Sequence, residues 1–466
     1  MDRDVVELFT EPGKGKGVRA RSVGRGIRQG SLIIAEDPYI FSLDVEEAKR
    51  RCHSCLQKKT VPLVCCGCKY ARYCSEACQE HDQERHRMEC DVTNAASGLA
   101  SNLKMAVAIL CKMHHLPVER GQLSSIKTLM SHVDDIKKQR PGGLTAMLST
   151  LRITLKFLPE YLIDQDDLEK VVGKVMCNSF AILDDDHQQI GTALYTQASM
   201  INHSCSPNCV PIFRGSRVEI RAARVILPGE EATISYTDTL TPTQERKDHL
   251  SFNYFFTCQC EACNDKERDA KMECLKCPRC SRQIPKTSAL QLLSCSCGYK
   301  LTSGDFLTDM EDIKKFAENL VNSRKSYDHE PEHFLYLLER CIQLQQEVFH
   351  EDNVSFVSVL EKALDVCLEM GEWQSALEYA ERLERILGVY LQNDIGLGLL
   401  YKKKGLIQLE LGRTEEAKES LLTAKRLLTV THGWRHDLVQ NIRNVLTDLE
   451  PDEEATLEHE NDLSER

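Results

Sequence analysis

The spacing of apolar residues predicts both strands and helices in this chain. Over residues 218–226, apolar residues alternate with polar ones and a Pro-Gly pair follows, which predicts a strand that ends in a turn. Residues 102–113 and 144–158 instead repeat apolar positions every three to four residues, which predicts helices. The sequence therefore indicates a mixed α+β chain, in which a helical stretch over residues 91–175 precedes the strand.

Beyond residue 300 the apolar spacing is helical up to residue 449. Two segments there, beginning at Gly371 and Gly412, share a glycine, an alanine five residues later and an apolar stripe. They stand 41 residues apart, more than the tetratricopeptide period of about 34, so residues 301–449 are interpreted as a degenerate, TPR-like all-α lobe. Because stacked helical repeats form curved surfaces, we expect a peptide partner at this lobe. The acidic tail, residues 450–466, is expected to be disordered.

A chain of 466 residues exceeds what one hydrophobic core usually organises, so several domains are expected. The net charge of −12 argues against nucleic-acid binding through the overall field of the protein. Basic side chains nevertheless crowd the N-terminal part, at Lys14, Lys16, Arg19, Arg21, Arg25 and Arg28. Direct nucleic-acid binding there stays open beside the simpler interpretation, a solvated basic face.

The sequence contains no apolar stretch of about 18 residues, and charged residues follow Met1, so neither a membrane segment nor a secretion signal is predicted. We expect the protein in the cytoplasm and nucleus. Because those compartments keep thiols reduced, the 22 cysteines are not expected to form disulfides. Their spacing points to metal binding instead.

The first cysteine-rich segment has the ligand spacing of two closed, tetrahedral zinc sites. Its eight candidate ligands are Cys52, Cys55, Cys65, Cys68, Cys74, Cys78, His86 and Cys90. Cys66 is an alternative to Cys65, and His81 is an alternative to His86. The spacing from His86 to Cys90 favours His86, because it places both residues on one side of a helical turn.

Two further groups of cysteines follow. Cys258, Cys260 and Cys263 lack a fourth ligand, and Cys205 is the natural candidate. Between these residues and the helical lobe, a last group offers four thiolates for another tetrahedral site: Cys277, Cys280, Cys295 and Cys297. Cys274 competes with Cys277 for this site.

Several motifs together resemble one family. They are GKGKGVRA at 13–20, the cysteine-rich segment at 52–90, CNSF at 177–180, NHSCSPNC at 202–209, GEEATISY at 229–236 and CQCEAC at 258–263. In this order they resemble the SMYD family, the SET- and MYND-domain protein lysine methyltransferases. The resemblance implies a SET N-terminal part at 1–48, a MYND zinc finger at 49–90, a helical insertion at 91–175, the SET core at 176–240 and a post-SET zinc segment at 241–270. Cysteine spacing, apolar pattern and charge add a candidate extra zinc knuckle at 271–300, the helical lobe at 301–449 and the tail at 450–466.

The resemblance also implies a SET β-fold, in which the NHS segment threads beneath another strand to form a knot-like core. In the finger, it implies that Cys52, Cys55, Cys74 and Cys78 bind one zinc ion and Cys65, Cys68, His86 and Cys90 the other. The family core accounts for three zinc ions, and the knuckle at 271–300 predicts a fourth. MYND fingers generally bind proline-containing peptides, which makes such a peptide a candidate partner.

The cofactor implied by the resemblance is S-adenosylmethionine. Its expected contacts are Lys14, Gly15, Lys16 and Gly17 in a first loop, with Asn178, Ser199, Asn202, His203, Tyr236 and Phe256. Glycines suit such a loop because backbone must approach the ligand closely. His132 is interpreted as an exposed helix histidine rather than as a cofactor contact.

Tyr236 is the residue expected to act on the acceptor amine, with Tyr254 as its partner in a lysine channel and Phe180 as an apolar wall. Glu230 and Glu231 are interpreted as structural residues that bind backbone near a turn. The predicted function is therefore methylation of lysine in histone or non-histone proteins by a chain expected to be a monomer. The alternative is a non-catalytic MYND/TPR-like adaptor with a vestigial SET core.

Overall fold

A computed structural model describes residues 5–12, 14–115, 126–155, 164–286, 292–391 and 393–449 of the chain. The acidic tail, residues 450–466, lies outside these residues, as does the end of the helix predicted at 144–158. The chain divides into two compact units, Met1–Tyr236 with Lys247–Cys258, and Thr237–Arg246 with Gln259–Arg466. Each helix in the described ranges is too short or too polar to cross a membrane.

The first unit contains twelve of the described strands. They are β1 (Val6–Glu11), β2 (Gly15–Ala20), β3 (Leu32–Glu36), β4 (Ile40–Leu43), β5 (Leu63–Val64), β6 (Arg72–Tyr73), β7 (Ser179–Leu183), β8 (Gln189–Leu194), β9 (Asn202–His203), β10 (Cys209–Arg214), β11 (Arg217–Ala222) and β12 (Glu231–Ile234). They form small sheets with the orders β1-β2-β12-β9, β10-β11-β3, β4-β8-β7 and β5-β6.

The pairing of β9 with β12 is parallel, whereas the other described strand pairs are antiparallel. Asn202 lies opposite Thr233, and His203 lies opposite Ile234. Because β12 also pairs with β2, the short NHS strand lies at the edge of a sheet that begins near the N-terminus. This threading gives the core its knot-like topology.

The strand predicted at 218–226 is shorter in the structure. β11 ends at Ala222, and Ile226 instead makes an isolated bridge with Ile27. Val218, Ile220 and Ala222 are fully buried, which explains the alternation in the sequence. The alternation of buried and exposed residues in this sheet ends at Ala222. Beyond it, the apolar residue Val225 is 53% exposed.

The helices up to the end of the SET region are α1 (Glu47–Arg50), α2 (Glu76–Arg87), α3 (Cys90–Ala96), α4 (Ser101–His115), α5 (Val133–Gln139), α6 (Pro141–Leu155), α7 (Gln165–Asn178) and α8 (Thr243–Tyr254). Helices α4 and α6 contain the apolar runs that predicted them. Met105, Ile109 and Leu151 are fully buried in one cluster, to which Ile40 of β4 and Leu194 of β8 also belong.

The second unit contains α9 (Glu261–Asn264), α10 (Lys266–Met272), the hairpin strands β13 (Leu275–Lys276), β14 (Gln283–Ile284), β15 (Leu292–Ser294) and β16 (Lys300–Thr302), and then α11 (Ser303–Asn322), α12 (Pro331–Val348), α13 (Val357–Met370), α14 (Trp373–Tyr390), α15 (Ile395–Glu410), α16 (Thr414–His432) and α17 (Asp437–Leu449). Each of the helices α11 to α16 packs on the next one in the chain.

The two repeated segments of the sequence occupy equivalent places in this stack. Gly371 joins α13 to α14 with φ of +75°, and Gly412 joins α15 to α16 with φ of +72°. Ala376 and Ala417 are both fully buried on the following helices. A left-handed turn residue and a small buried residue five positions later thus allow each helix pair to close tightly.

Candidate active site and metal centres

The cysteine-rich finger brings its eight predicted ligands into two groups. In the first, Sγ of Cys74 lies 3.8 Å from that of Cys55 and 3.5 Å from that of Cys78, with Cys52 completing the group. In the second, Cys65 and Cys90 stand 3.7 Å apart between their sulphur atoms. Cys68 Sγ lies 3.5 Å from Nε2 of His86. The first and third ligand pairs along the chain thus form one group, and the second and fourth pairs form the other. This alternation is called a cross-braced arrangement.

The two other groups also form. Cys205, Cys258, Cys260 and Cys263 share one group, and Cys277, Cys280, Cys295 and Cys297 share another. All ligand atoms within each of the four groups lie within 4.8 Å of one another. Sulphur ligands at about 2.3 Å from a tetrahedral zinc are about 3.8 Å apart, so the observed separations fit zinc. A disulfide would need about 2.05 Å.

The alternative ligands lie outside these groups. Cys66 is exposed, and Nδ1 of His81 lies 3.3 Å from the hydroxyl of Ser54. Cys274 is buried, and its burial raises the pKa of the thiol to about 12. These positions leave Cys65, His86 and Cys277 as the residues whose ligand atoms converge.

An aromatic cluster surrounds the NHS strand. The rings of Tyr236 and Tyr254 have centroids 4.9 Å apart, and the His203 ring lies 5.3 Å from Tyr236 and 5.9 Å from Phe256. The Tyr236 hydroxyl donates a hydrogen bond to the carbonyl of Ile201. Burial raises the pKa of Tyr236 and that of Tyr254, so both phenols stay neutral at physiological pH.

Phe255 lies between Tyr254 and Phe256 in the sequence, which alone did not single it out. Its φ of +63° is left-handed, and α8 ends immediately before it, at Tyr254. The ring stacks on His132 at 5.3 Å, and the guanidinium of Arg140 lies 5.4 Å from its centre. Such a conformation is unfavourable for a bulky residue, so it persists because neighbouring groups fix it.

His132 differs from the exposed helix histidine that was expected. It lies just before α5 in a left-handed conformation with φ of +47°, and its side chain is only 27% exposed. Nδ1 is 3.1 Å from a carboxylate oxygen of Asp135. The spacing of apolar residues does not reveal a left-handed backbone at the start of a helix. The sequence therefore predicted an exposed helix histidine at this position.

The predicted glycine loop is a strand in the structure. Gly15, Lys16 and Gly17 belong to β2 and pair with β1. A Cβ atom at Gly17 would lie 2.5 Å from the ring of Phe9 and 2.8 Å from Nδ2 of Asn202, so only glycine fits here without displacement. Gly17 therefore allows β2 to approach the NHS strand closely, and it does not form the predicted loop.

Lys14 and Asn202 meet at a shared carboxylate. Nδ2 of Asn202 donates to Oε1 of Glu231 at 2.7 Å, and Nζ of Lys14 lies 3.6 Å from Oε2. Glu231 therefore contacts two side chains, in contrast to the expected role on backbone. Glu230 does bind backbone, since its carboxylate accepts from the Leu227 N–H at 2.8 Å.

Ser199 and Asn178 also come together, because the Ser199 hydroxyl donates to the Asn178 carbonyl at 3.0 Å. Nδ2 of Asn178 donates to the carbonyls of Met130 and Lys174, each at 2.8 Å. Phe180 lies on β7, half-buried, with its ring edge-on to Tyr195 at 5.5 Å. Phe180 and Tyr236 both pack on the same core cluster.

Glu36 and Asn208 support this site and were not singled out by the sequence. The Glu36 carboxylate accepts from the backbone N–H groups of Thr196, Gln197 and Ala198 at 2.8 to 3.0 Å, just before the NHS strand. Oδ1 of Asn208 accepts from Thr233 N–H at 2.8 Å. Asn208 is the last asparagine of NHSCSPN, so its place in the motif was a usable signal.

Comparison with known proteins gives a match to the SET domain over residues 15–237. The N-lysine methyltransferase SMYD2 of Homo sapiens is 28% identical over 449 residues, covering 94% of this chain and 97% of that protein. SMYD2 of Gallus gallus is 28% identical over 451 residues, covering 95% and 97%. SMYD2-A of Danio rerio is 28% identical over 454 residues, covering 94% and 97%.

The chain is similar to SMYD methyltransferases along nearly its whole length, and it carries a SET domain match. The SMYD resemblance seen in the motifs is therefore confirmed, as is the α+β multidomain fold with a SET core, metal-binding cysteine groups and a helical lobe. The SET match begins at Gly15 on β2 and ends one residue after Tyr236. It therefore spans the finger and the helices α3 to α7.

Proposed function

We propose that this chain transfers a methyl group from S-adenosylmethionine to the side-chain amine of a lysine in a histone or non-histone protein. The observation that carries the proposal is the cluster of Tyr236, Tyr254 and His203 beside a parallel NHS strand within a SET domain. Relatives along nearly the whole chain are named N-lysine methyltransferases, which supports the same reaction.

The acceptor lysine must lose a proton before its lone pair can react. With an ordinary pKa of about 10.4, deprotonation at pH 7 costs about 4 to 5 kcal/mol. When bound, S-adenosylmethionine supplies an electrophilic methyl group on a positively charged sulphur. A site that excludes water and holds a positive charge near the amine lowers the pKa of the lysine, so no dedicated base is needed.

Tyr236 is proposed to orient the amine. Its hydroxyl proton is committed to the Ile201 carbonyl, which leaves lone pairs of the phenol oxygen to accept a hydrogen bond from the amine. Because burial raises the pKa of Tyr236, the phenol keeps its proton and this orientation. Fixing the lone pair of the amine in line with the methyl group is a proximity effect.

The neighbouring aromatic rings are proposed to form the lysine channel. Tyr254 stands beside Tyr236, and Phe180 supplies an apolar wall from β7. Aromatic walls exclude water, which favours the neutral amine, and their faces attract a methylated ammonium product. Phe256, in contact with His203, is assigned to the cofactor side of the cluster.

The cofactor is proposed to rest along β2 and the NHS strand. The contacting residues assigned are Lys14, Gly15, Lys16, Gly17, Asn178, Ser199, Asn202 and His203. Lys14 and the Asn202 amide present positive and hydrogen-bond-donating groups, which suit the carboxylate of an amino-acid moiety. Glu231 contacts both of these side chains. The close approach of Gly17 to Asn202 keeps this surface free of side-chain bulk.

Zinc is assigned to the two groups in the finger and to the group of Cys205, Cys258, Cys260 and Cys263. Four protein ligands fill each tetrahedral site, so these ions are structural rather than catalytic. In the finger, the strands β5 and β6 have two residues each, and the metal supplies folding energy that so small a core lacks.

The binding partners, the oligomeric state and the compartment are proposed from the sequence. We assign a proline-containing peptide to the finger, a peptide partner to the helical lobe, and a local nucleic-acid contact to the basic N-terminal face as a secondary candidate. The protein is proposed to act as a monomer in the cytoplasm and nucleus. The adaptor alternative is less favoured, because the tyrosine pair, the NHS strand and the cysteine groups are all present.

The test is direct. Full-length zinc-loaded protein is titrated with S-adenosylmethionine by calorimetry, and isotope-labelled methyl transfer is then measured on histones and on a proteome extract. We expect saturable cofactor binding and label on lysine. Absence of cofactor binding by a folded protein would leave the adaptor function as the better account.

A further inference from the structure

Two short hairpins precede the helical lobe, and each carries two cysteines at its turn. β13 and β14 enclose Cys277 and Cys280, and β15 and β16 enclose Cys295 and Cys297. At the first turn the Ser281 N–H donates to the Cys277 carbonyl at 2.8 Å. At the second, the Gly298 N–H donates to the Cys295 carbonyl at 2.9 Å. Both turns therefore fold back so that their thiols point to one place.

The four thiols have the separations of a metal site. Sγ of Cys277 lies 3.7 Å from that of Cys297, and Sγ of Cys280 lies 3.5 Å from that of Cys295. These distances are near the edge of about 3.8 Å in a zinc–thiolate tetrahedron, and far from a disulfide bond. Strands of two or three residues form no stable hairpin alone, so the pair of hairpins needs a further source of folding energy.

The hairpins are attached to the beginning of the helical stack. Leu275 makes a bridge with Phe349, at the end of α12, and Nζ of Lys276 donates to the Gln346 carbonyl at 3.1 Å. Leu275, Ile284 and Cys277 are fully buried in the same hydrophobic cluster as Phe334 on α12. Nδ2 of Asn353 also donates to the Cys274 carbonyl at 3.0 Å, which gives Cys274 a place in this attachment.

We propose that Cys277, Cys280, Cys295 and Cys297 bind one zinc ion, and that the resulting zinc ribbon caps the first end of the helical lobe. Stacked helical repeats bury their apolar faces against neighbours, so the terminal repeat needs a cover. α12 packs on α11 as well, and the ribbon adds cover at the C-terminal end of α12, where Leu275 makes a bridge with Phe349. The metal keeps the ribbon folded. This inference concerns the second unit and does not rest on the methyl-transfer proposal.

The metal site is tested first on the unaltered full-length protein. We expect four zinc ions per chain by native mass spectrometry and elemental analysis. The double variant Cys280→Ser/Cys297→Ser should carry three, and these two thiols are chosen because they are only partly buried. Cys66→Ser removes an exposed thiol outside the groups and should keep four. Three zinc ions in the unaltered protein would overturn the site whatever the variants do.

The capping role is tested by hydrogen exchange of the same proteins. In the double variant, amides of α12 should exchange at least tenfold faster, while those of α4 in the first unit and the affinity for S-adenosylmethionine stay unchanged. Cys297→His keeps a zinc ligand and should restore both the fourth ion and the protection of α12. Loss of the ion without faster exchange in α12 would overturn the cap. Absent methyl transfer with four ions bound would instead count against the catalytic proposal alone.

Discussion

The backbone N–H of Tyr236 donates a hydrogen bond of 2.9 Å to Nδ1 of His203. Because Nδ1 accepts here, the neutral imidazole carries its proton on Nε2, and that atom lies 3.1 Å from the sulphur of Cys205. The His203 ring therefore contacts both the backbone N–H of Tyr236 and Cys205, a predicted zinc ligand. The position of the Tyr236 phenol depends on the NHS strand through both its backbone and its hydroxyl.

Tyr236→Phe should lower turnover at least tenfold while the affinity for S-adenosylmethionine changes less than threefold. The variant removes the oxygen assigned to the amine and leaves the ring in the aromatic cluster. An interaction made mainly in the transition state appears in turnover rather than in binding. Single-turnover methyl transfer together with calorimetry separates the two quantities.

Tyr195→Phe is the matched control for that variant. The Tyr195 hydroxyl also donates to a backbone carbonyl, that of Ser216, from within the same hydrophobic cluster. Both substitutions lose one such hydrogen bond, which costs about 1 kcal/mol of stability. We expect Tyr195→Phe to keep turnover within about twofold. Equal losses in the two variants would mean that Tyr236 acts only through stability.

Gly17→Ala should weaken S-adenosylmethionine binding at least tenfold. The added Cβ would meet the Phe9 ring at 2.5 Å and Nδ2 of Asn202 at 2.8 Å, so it must displace the NHS strand or the aromatic ring. Gly98→Ala is the control, because no atom of the described residues, its two chain neighbours apart, lies within 4 Å of its added Cβ. Calorimetry measures the affinity of both variants for S-adenosylmethionine. An unchanged affinity in Gly17→Ala would mean that β2 is not part of the cofactor site.

Spacing along the chain predicted which sulphur atoms converge. Zinc ligands follow local turns, so pairs such as Cys52 with Cys55 and Cys277 with Cys280 are visible in sequence. Cys205 was predicted as the fourth ligand of the third group, and its sulphur atom lies with those of Cys258, Cys260 and Cys263. A tetrahedral zinc ion requires its ligands at fixed short separations, and this requirement limits the ligand spacing in the sequence. The groups predicted from spacing therefore agree with those in the structure.

Tertiary positions escaped the same reasoning. Glu36 reaches the backbone at Thr196 to Ala198 from 160 residues away, and no local pattern marks a buried carboxylate of that kind. Gly15 to Gly17 looked like a loop because glycine suits turns, yet the need for space beside Asn202 explains Gly17 better. Phe255 is one of several aromatic residues in a row, and only its left-handed backbone distinguishes it.

Asn208→Ala should loosen the threaded core. The side chain is 2% exposed, its Oδ1 accepts from Thr233 N–H, and its Nδ2 donates to the Glu231 carbonyl at 2.8 Å. Removing it leaves a buried donor and a buried acceptor unpaired, which costs about 2 to 4 kcal/mol. Hydrogen exchange at β12 should therefore become at least tenfold faster. Asn94→Ala, on an exposed face of α3, should leave that exchange unchanged, and protection retained in Asn208→Ala would contradict the assignment.

Tyr39→Phe should make the protein more tolerant of alkaline pH. The Tyr39 hydroxyl is buried and has no hydrogen-bond partner among the described residues, and burial raises its pKa to about 12. The unfolded chain releases this proton near pH 10, whereas the folded chain retains it until about pH 12. Rising pH in that window therefore favours unfolding, by at most about 1.4 kcal/mol per pH unit, and phenylalanine removes the effect.

The ring of Tyr39 is retained by the substitution, together with the contact in which Nζ of Lys112 lies 4.0 Å from its centre. At pH 8 the variant should be as stable as the unaltered protein or up to about 1 kcal/mol more stable, because an unpaired buried hydroxyl is removed. Thermal unfolding at pH 8, 10 and 11 measures whether the difference widens. Tyr336→Phe, at a tyrosine that is 57% exposed, is measured alongside as the control for removing a phenol hydroxyl. A Tyr39→Phe difference that stays constant from pH 8 to 11 would mean that this hydroxyl ionises equally in the folded and unfolded chains.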